Sequence, residues 1–337
     1  MLPSMGRALL ALVFLGALAR VSSGQVIESV GSRALGMGGA FVAVANDSSA
    51  GWWNPAGVAA GPFLDIGLGR ALGEAVDVAS AWRRRTSGFA LATPPFGFHV
   101  YRLQITQLQP IATTESGLDG REEGLIGASV HGFEGHQVGV TIPWTVMTGV
   151  HVGTTLKYLR GALRTTEATG LPSELLDGGE ALSGGGTTGV FDFDIGALAV
   201  AGPVRLGLVM RNVRHSGFTA ASGGAMTLDR HLRVGAAFDA SEAGGPPLTV
   251  ALDADAGTYG EGQAERRVVA LGAEQWLLDR RVGLRVGGRF NTAGPKGRTA
   301  TAGASVSLRS GFFVDGHIAR GSSAEESGWG AAARVSF

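Results

Sequence analysis

The sequence predicts an all-β protein, a transmembrane antiparallel β-barrel of about 14 strands, with an N-terminal segment plugging its lumen. Three features predict this fold: an apolar run of signal-peptide length, strict alternation of residue types along most of the chain, and connections that alternate between short and long. We divide the chain into a signal peptide (1–24), a lumen plug (25–61) and an outer-membrane barrel (62–337).

The first 24 residues resemble a secretion signal. A positive charge at Arg7 precedes the apolar run Ala8–Ala19, and the small residues Ser22 to Gly24 offer a cleavage site before Gln25. A membrane anchor is the alternative, but a spanning helix needs about 20 apolar residues and this run is shorter. We therefore expect the chain to be exported.

Composition excludes several functional classes. The 28 basic and 28 acidic residues cancel, so we expect no nucleic-acid partner, which would need a basic face. The chain has no cysteine, which excludes disulfides and thiol nucleophiles. Glycine is abundant, at 56 of 337 residues, more than twice the roughly 7% of an average protein.

Period-two alternation dominates after residue 62. Pro203–Asn212 and Arg281–Gly287 each place aliphatic side chains on one face and arginine or glycine on the other. Such alternation predicts half-buried strands, and segments of about nine residues or more suit a membrane barrel. The predicted strands are 63–70, 76–84, 88–107, 125–143, 149–162, 188–200, 203–213, 230–239, 247–257, 266–277, 281–290, 299–309, 312–320 and 328–337.

The connections between these segments fall into two groups. The short group comprises Thr86–Gly88, 144–148, Ala201–Pro203, 240–246, Leu278–Arg280 and Ser310–Gly311. The long, polar group comprises 108–124, 163–187, 214–229, 258–265, 291–298 and 321–327. Short turns at one end and long loops at the other are typical of outer-membrane barrels, and would place the short turns and both termini in the periplasm. A soluble β-sandwich is the alternative, but arginine and aspartate mixed with glycine suit a crowded lumen better.

The last strand ends on an aromatic residue. Trp329, Val335 and the terminal Phe337 share one face of Gly328–Phe337. This arrangement resembles the signal read by the outer-membrane barrel assembly machinery. We therefore expect that machinery and outer-membrane lipid as partners, although aromatic content is only 7% and the aromatic girdles would be thin.

The segment before the first strand breaks the period-two pattern. Asp47 can cap a short helix starting at Ser48, Pro55 disfavours its continuation, and a helix this short must pack against something. The alternative is a strand over Ala40–Ala45 followed by a turn. The residues assigned to the lumen plug are Gly36, Met37, Gly38, Gly39, Asp47, Trp52, Trp53, Asn54 and Pro55.

Motifs in this segment resemble the N-terminal region of PorV/PorQ-type proteins, relatives of the FadL outer-membrane transporters. The residues that carry the resemblance are Ser32–Ala40, Asn46–Ala50 and Trp53–Gly57, supported by Lys157–Leu159, Arg211–Val213, Gly272–Trp276 and Leu284–Gly287. The resemblance covers essentially the mature chain and implies a fourteen-stranded barrel with the N-terminal segment folded into the lumen.

Enzyme motifs are lacking in the sequence. No βαβ unit surrounds Gly36–Gly39, and no phosphate loop, zinc helix or nucleophile elbow is present. Asp253-Ala254-Asp255 begins like a calcium loop but lacks the later ligands. We therefore expect no catalytic residue, no metal and no cofactor.

Charged residues of both signs fall on the face assigned to the lumen. They are Lys157, Asp192, Asp194, Arg205, Arg211, Arg233, Asp253, Asp255, Glu274, Arg281 and Arg285. A selective ion pore favours one sign, whereas mixed charges in a confined space pair with each other. We therefore expect a filled, cross-linked lumen; an open channel whose charges face water is the alternative.

Three functions fit this barrel. The resemblance to PorV implies a protein that docks or passes exported proteins, like the type IX secretion shuttle. The relation to FadL implies instead an uptake channel through which hydrophobic small molecules leave by a lateral opening once the plug shifts. The third is a structural or adhesive surface barrel acting through the loops at 163–187 and 214–229.

Overall fold

The computed structural model describes residues 29–76, 81–111, 125–184, 186–219, 225–260, 265–294, 296–322 and 327–337. The predicted signal peptide lies outside these residues. Fourteen antiparallel strands close into a barrel, which confirms the predicted fold class. The barrel closes where β1 pairs with β16, from Asp65 opposite Ser336 to Glu74 opposite Ser327.

The strands follow each other around the barrel in chain order, with one small hairpin (β8–β9) inserted between β7 and β10. They are β1 (Asp65–Ala75), β2 (Trp82–Thr93), β3 (Phe96–Pro110), β4 (Ile126–Met147), β5 (Val150–Gly170), β6 (Thr188–Ala201), β7 (Val204–Arg211), β8 (Gly217–Thr219), β9 (Ala225–Thr227), β10 (His231–Asp239), β11 (Leu248–Asp255), β12 (Val268–Leu277), β13 (Val282–Asn291), β14 (Gly297–Arg309), β15 (Phe312–Gly321) and β16 (Ser327–Ser336).

One predicted turn is wrong. Thr86–Gly88 lies inside β2, and the chain reverses instead at Pro94-Pro95. Proline cannot donate to a strand ladder, so a Pro-Pro pair ends pairing on both sides. Gly88 is a strand residue whose missing side chain makes room for the backbone of Val100 and the ring of Tyr101.

Other boundaries move as well: β1 extends to Ala75 and β2 begins only at Trp82, and residues 163–170 of a predicted loop belong to β5. The strand count survives because each shift moves a boundary and removes no strand.

The two faces of the wall differ sharply in chemistry. On β11, the outward Leu252 is 49% exposed, whereas the neighbouring inward Asp253 is 1% exposed. The outward Leu206, Val286 and Ile318 on other strands are likewise exposed. An apolar exterior around a polar interior is the arrangement of a barrel in lipid and the inverse of a soluble sandwich.

The N-terminal segment, residues 29–61, contains two short α-helices, α1 (Ser32–Gly36) and α2 (Ala50–Trp53), and a 3-10 helix, Pro55–Ala60. Most of this segment is buried, and it contacts strands on several sides of the barrel. Helix α2 begins two residues later than predicted, and Pro55 opens a second helix rather than only ending the first. Residues 42–44 form a turn, and no part of 40–45 is the alternative strand.

Helix α3 (Pro172–Ala181) connects β5 to β6 and packs on the outer face of the barrel. Its Leu175 and Leu176 form an apolar cluster with outward residues of β3 and β4, including Leu108 and Val130. No helix of the described residues combines the length and apolar character needed to cross a membrane.

Candidate functional site: the barrel interior

Carboxylates and amides of the interior hold the backbone of the N-terminal segment. Asp253 on β11 accepts hydrogen bonds from the backbone N–H groups of Phe41 (2.8 Å) and Val42 (2.9 Å). Asp65 on β1 accepts one from the N–H of Ser48 (2.8 Å). Asn54 donates to carbonyl oxygens on both sides, that of Val42 (2.9 Å) within the segment and that of Ala197 (3.0 Å) on β6.

Arg33 joins the N-terminal segment to β12 and β13 through Glu274. Its Nε and Nη2 donate to the Glu274 carboxylate at 2.8 and 2.6 Å, and Arg285 Nε donates to the same carboxylate at 2.7 Å. The Arg33 Nη1 donates to Asn46 Oδ1 (2.6 Å) and lies 3.5 Å from the Asp47 carboxylate. Burial alone would lower the pKa of Arg33, but Glu274 and then Asp47 outweigh burial and raise it. Arg33 therefore stays protonated, and its ion pair with Glu274 holds the segment to the wall.

The same network continues to the strands where the barrel closes. Arg285 Nη2 donates to Ser305 Oγ (2.6 Å), and Ser305 in turn donates to Asp315. Arg334 on β16 then bridges Asp315 (3.1 Å) and Asp65 (3.0 Å). Because Asp65 also binds the backbone of the N-terminal segment, the segment and six wall strands share one chain of polar contacts.

Glycines of the wall make room for the backbone of the segment. A Cβ on Gly272 or Gly287 would collide with the backbone at Met37 and Gly38. Gly38 itself has φ of 68°, and a Cβ there would lie 2.8 Å from the backbone nitrogen of Gly288. Further wall glycines that face the segment in this way are Gly153, Gly196, Gly207, Gly235 and Gly303. Close packing against this segment thus accounts for part of the high glycine content.

The two tryptophans of α2 contact different parts of the protein: Trp52 packs against the barrel wall and Trp53 against the N-terminal segment itself. Trp52 lies with its ring 5.3 Å from that of Tyr101 on β3, and the Arg211 guanidinium stacks over it at 4.6 Å. Trp53 packs 6.1 Å from Phe41 within the segment, and its indole N–H donates to Val30 (2.9 Å). Asp47 accepts from the Ser49 N–H (2.9 Å), just before α2 begins.

Most predicted lumen charges are buried and paired. Lys157 donates to Asp194 and to Asn212, both at 2.5 Å, and Asp192 accepts from the N–H of Arg214 (2.9 Å). A second cluster lies on β10 and β11, where Asp255 contacts His231 and Arg233, each at 2.6 Å. Arg205 and Asp239 pair at 3.0 Å nearer the surface. No group of three or more His, Asp or Glu side chains suited to a metal occurs in the described ranges.

Arg281 does not follow the prediction. It lies in the turn between β12 and β13 and is exposed, because β13 begins only at Val282. At the C-terminus, Trp329 is outward and 50% exposed, Val335 pairs with Ile66 and Phe312, and Phe337 exchanges backbone hydrogen bonds with Leu64 at 2.9 and 3.1 Å.

Several interior residues of the network were not predicted: Arg33, Asp65, Ser305, Asp315 and Arg334. Asp315 and Arg334 alternate with outward residues of β15 and β16, so the period-two pattern could have identified them. Arg33 belongs to the N-terminal motif but offers no signal of its wall partner, which is 241 residues away.

Apolar side chains fill the end of the barrel that carries the long loops. The hairpin β8–β9 buries Phe218 and Met226, and the Phe218 ring lies 5.0 Å from that of Phe133 on β4. Through Leu103 and Leu159, these residues belong to one continuous apolar core that also contains Trp52 and Trp53. One packed apolar core therefore extends from the long-loop end to the N-terminal segment.

A cavity of about 60 Å³ lies where the segment meets β1 and β2. It is lined by Val30 and Gly31 on one side and by small wall residues, among them Gly69 and Gly88, on the other. On the outside of the same wall lies an open groove that shares Gly69, Gly88 and Ala332 with the cavity. At these shared positions the wall carries only glycine and alanine between the cavity and the groove.

Comparison with known proteins identifies the fold. No protein-family model and no curated protein matches the sequence. Solved structures do match: CymD, described as a monoaromatic hydrocarbon channel (TM-score 0.62, 14% identity, 91% of this chain and 97% of that one), and the Ralstonia pickettii toluene transporter TbuX (0.59, 14%, 92% and 99%). A FadL homologue from Pseudomonas aeruginosa matches with a TM-score of 0.61, 10% identity, and coverage of 93% and 100%. At these identities the likeness shows a shared fold, that of FadL-type barrels.

Proposed function

We propose that this protein is a non-enzymatic outer-membrane barrel that takes up hydrophobic small molecules. The observation that carries the proposal is the continuous apolar core, which runs from the long-loop end to Trp52 and Trp53 inside an otherwise charged interior. Apolar side chains that line a passage favour an apolar solute over a charged one. The fold shared with hydrocarbon channels and the apolar exterior support the same function and location.

In this proposal the N-terminal segment is a plug that must move. The cavity beside it, at about 60 Å³, has room for about four water molecules and not for an organic solute. A solute that reaches Trp52 and Tyr101 would enter the enlarged cavity when the segment shifts. It would then leave sideways near Gly69 and Gly88, which requires the paired strands there to separate because the ladders on both sides of β1 are continuous.

The two other functions have less support. Docking of exported proteins rests on the N-terminal resemblance to PorV-type proteins, and no contact among the described residues favours it. An adhesive role would act through the long connections, one of which is packed on the barrel as α3.

Tethering the segment tests the proposal. Ser29 Oγ in the segment lies 2.5 Å from Thr86 Oγ1 on β2, so S29C/T86C can form a disulfide in a chain that has no other cysteine, without adding a side chain to any glycine. In Gram-negative cells lacking their own FadL-type channels, the wild type is expected to raise uptake of radiolabelled toluene or oleate. The oxidised double variant is expected to lose that gain, and a reductant to restore it.

The single variant S29C is the control for the substitution itself, because it keeps a side chain of similar size at this position and cannot form the disulfide. Uptake that continues unchanged in the fully oxidised double variant would show that the segment does not gate passage. A wild type that raises uptake of neither solute would contradict the transport proposal itself.

A further inference from the structure

We propose that the outer groove at β1, β2 and β16 is a binding site for a membrane lipid with an anionic, phosphorylated headgroup. This inference rests on the proposed location in a membrane and not on the proposed transport. The groove, of about 720 Å³, is lined by the basic residues Arg70, Arg102 and His136 and by a run of apolar residues. The groove thus has a basic part and an apolar part, which match the headgroup and the acyl chains of such a lipid.

The basic residues of the groove belong to one register row on the outward face. Arg70 on β1 pairs with Ser87 on β2, which pairs with Arg102 on β3; Arg102 pairs with His136 on β4, and His136 with Arg160 on β5. All four basic side chains point outward and are exposed. Neighbouring strands lie about 4.8 Å apart, so the row presents several donors to one phosphate-sized group.

The next row toward the short-turn end is apolar across β1 to β4. It comprises Leu68, Phe89, Val100 and Val138, and Leu68 also pairs with Ala333 on β16. On the other side of Arg70 the wall has almost no side chains, because Arg70 pairs with Ala331, which pairs with Gly316. An acyl chain can therefore lie against Leu68 and the alanines directly below the guanidinium.

Aromatic residues locate this change of chemistry near the membrane boundary. Trp329, 50% exposed, pairs with Leu72, one step beyond Arg70 toward the long-loop end. Tyr158, 47% exposed, immediately precedes Arg160 on the same face of β5. Exposed Trp and Tyr mark the headgroup level of a barrel, and a long arginine side chain reaches that level from just inside it.

The basic residues further along the same strands are already neutralised. Arg83 contacts Glu74 (2.8 Å) and Asp177, and Arg85 contacts Glu180 (2.7 Å), so the acidic side of α3 covers them. Arg102, itself half exposed, contacts Glu134 at 2.6 Å, and that carboxylate also lies 3.8 Å from Arg164. In the groove itself, Arg70 makes no ion pair with any residue that the structure describes, and the row keeps a net positive charge facing lipid.

Lipid binding to the purified full-length protein in detergent tests the inference. Native mass spectrometry would count bound phosphatidylglycerol, lipid A and phosphatidylcholine, titrated separately. The wild type is expected to bind the two anionic lipids at least about tenfold more tightly than phosphatidylcholine, and R70Q/R102Q to lose most of that preference. Heat-modifiable migration on gels confirms that each variant is folded.

The matched control is R281Q/R309Q, which removes two exposed arginines at the short-turn end of the barrel. It is expected to bind as the wild type does. Equal binding of anionic lipids by R70Q/R102Q and the wild type would overturn the inference, as would equal affinity for phosphatidylcholine. Full competition by inorganic phosphate would also overturn it, because the acyl contacts would then contribute nothing. None of these results depends on uptake.

Discussion

Replacing Gly287 with valine is expected to dislodge the N-terminal segment and open a large, ungated pore. A Cβ at this position already collides with the backbone of Met37 and Gly38, and backbone cannot rotate away as a side chain does. The wall strand is held by ladders on both sides, to β12 and β14, so the segment is what must yield. Planar-bilayer recordings should show low conductance for the wild type and frequent large openings for G287V.

G316V is the control for this experiment. Gly316 is also a mid-strand glycine, but a Cβ there meets its nearest neighbour, the Gly330 oxygen, only at 3.8 Å. The same valine is therefore expected to leave conductance low. If G287V conducts no more than G316V while both form heat-resistant barrels, the segment does not close the lumen.

Replacing Glu274 with alanine is expected to cause the largest loss of stability among single substitutions in the interior. The variant leaves Arg33 and Arg285 without the carboxylate that both contact, in surroundings where Glu274 itself is 2% exposed. Removing one partner of a buried ion pair typically costs about 3–5 kcal/mol, because the remaining charge stays buried and uncompensated.

The measurement is the temperature at which the folded barrel converts to the slow-migrating, unfolded form on gels. E274A should convert well below the wild type, whereas E242Q, in the exposed turn after β10, should match the wild type. If E274A and E242Q behave alike, the network does not stabilise the barrel. Proteolysis of E274A should also cut first within residues 29–61, because Arg33 is the side chain that holds this segment to β12.

The barrel was predictable because its two faces differ at every second residue. Leu252 and Asp253 on β11, or Val286 and Arg285 on β13, carry the period-two signal with no long-range information. The predicted turn near residue 88 is wrong because glycine occurs both at chain reversals and at close contacts within a sheet. Gly88 is of the second kind, since it lies against Val100 and Tyr101. Only the position of Tyr101 on the next strand distinguishes the two.

The interior was less predictable than the wall. That Trp52 and Trp53 must pack against something follows from the shortness of α2, but their partners lie on distant strands. The network from Arg33 to Arg334 links residues that alternation can place on the inner face yet cannot pair, since pairing depends on barrel radius and register. The outward Arg70 and Arg102 interrupt the apolar faces of β1 and β3, and alternation alone does not indicate what they bind.

The pairing of β1 with β16 has a consequence for biogenesis. The Arg334–Asp65 ion pair joins these two strands, and Asp65 also accepts a hydrogen bond from the Ser48 N–H. The N-terminal segment and the last strand therefore meet at one carboxylate. Asp65 can hold the N-terminal segment while the sheet is still open, and Arg334 reaches the same carboxylate only when β16 pairs with β1. Barrel closure and fixation of the segment therefore share one side chain.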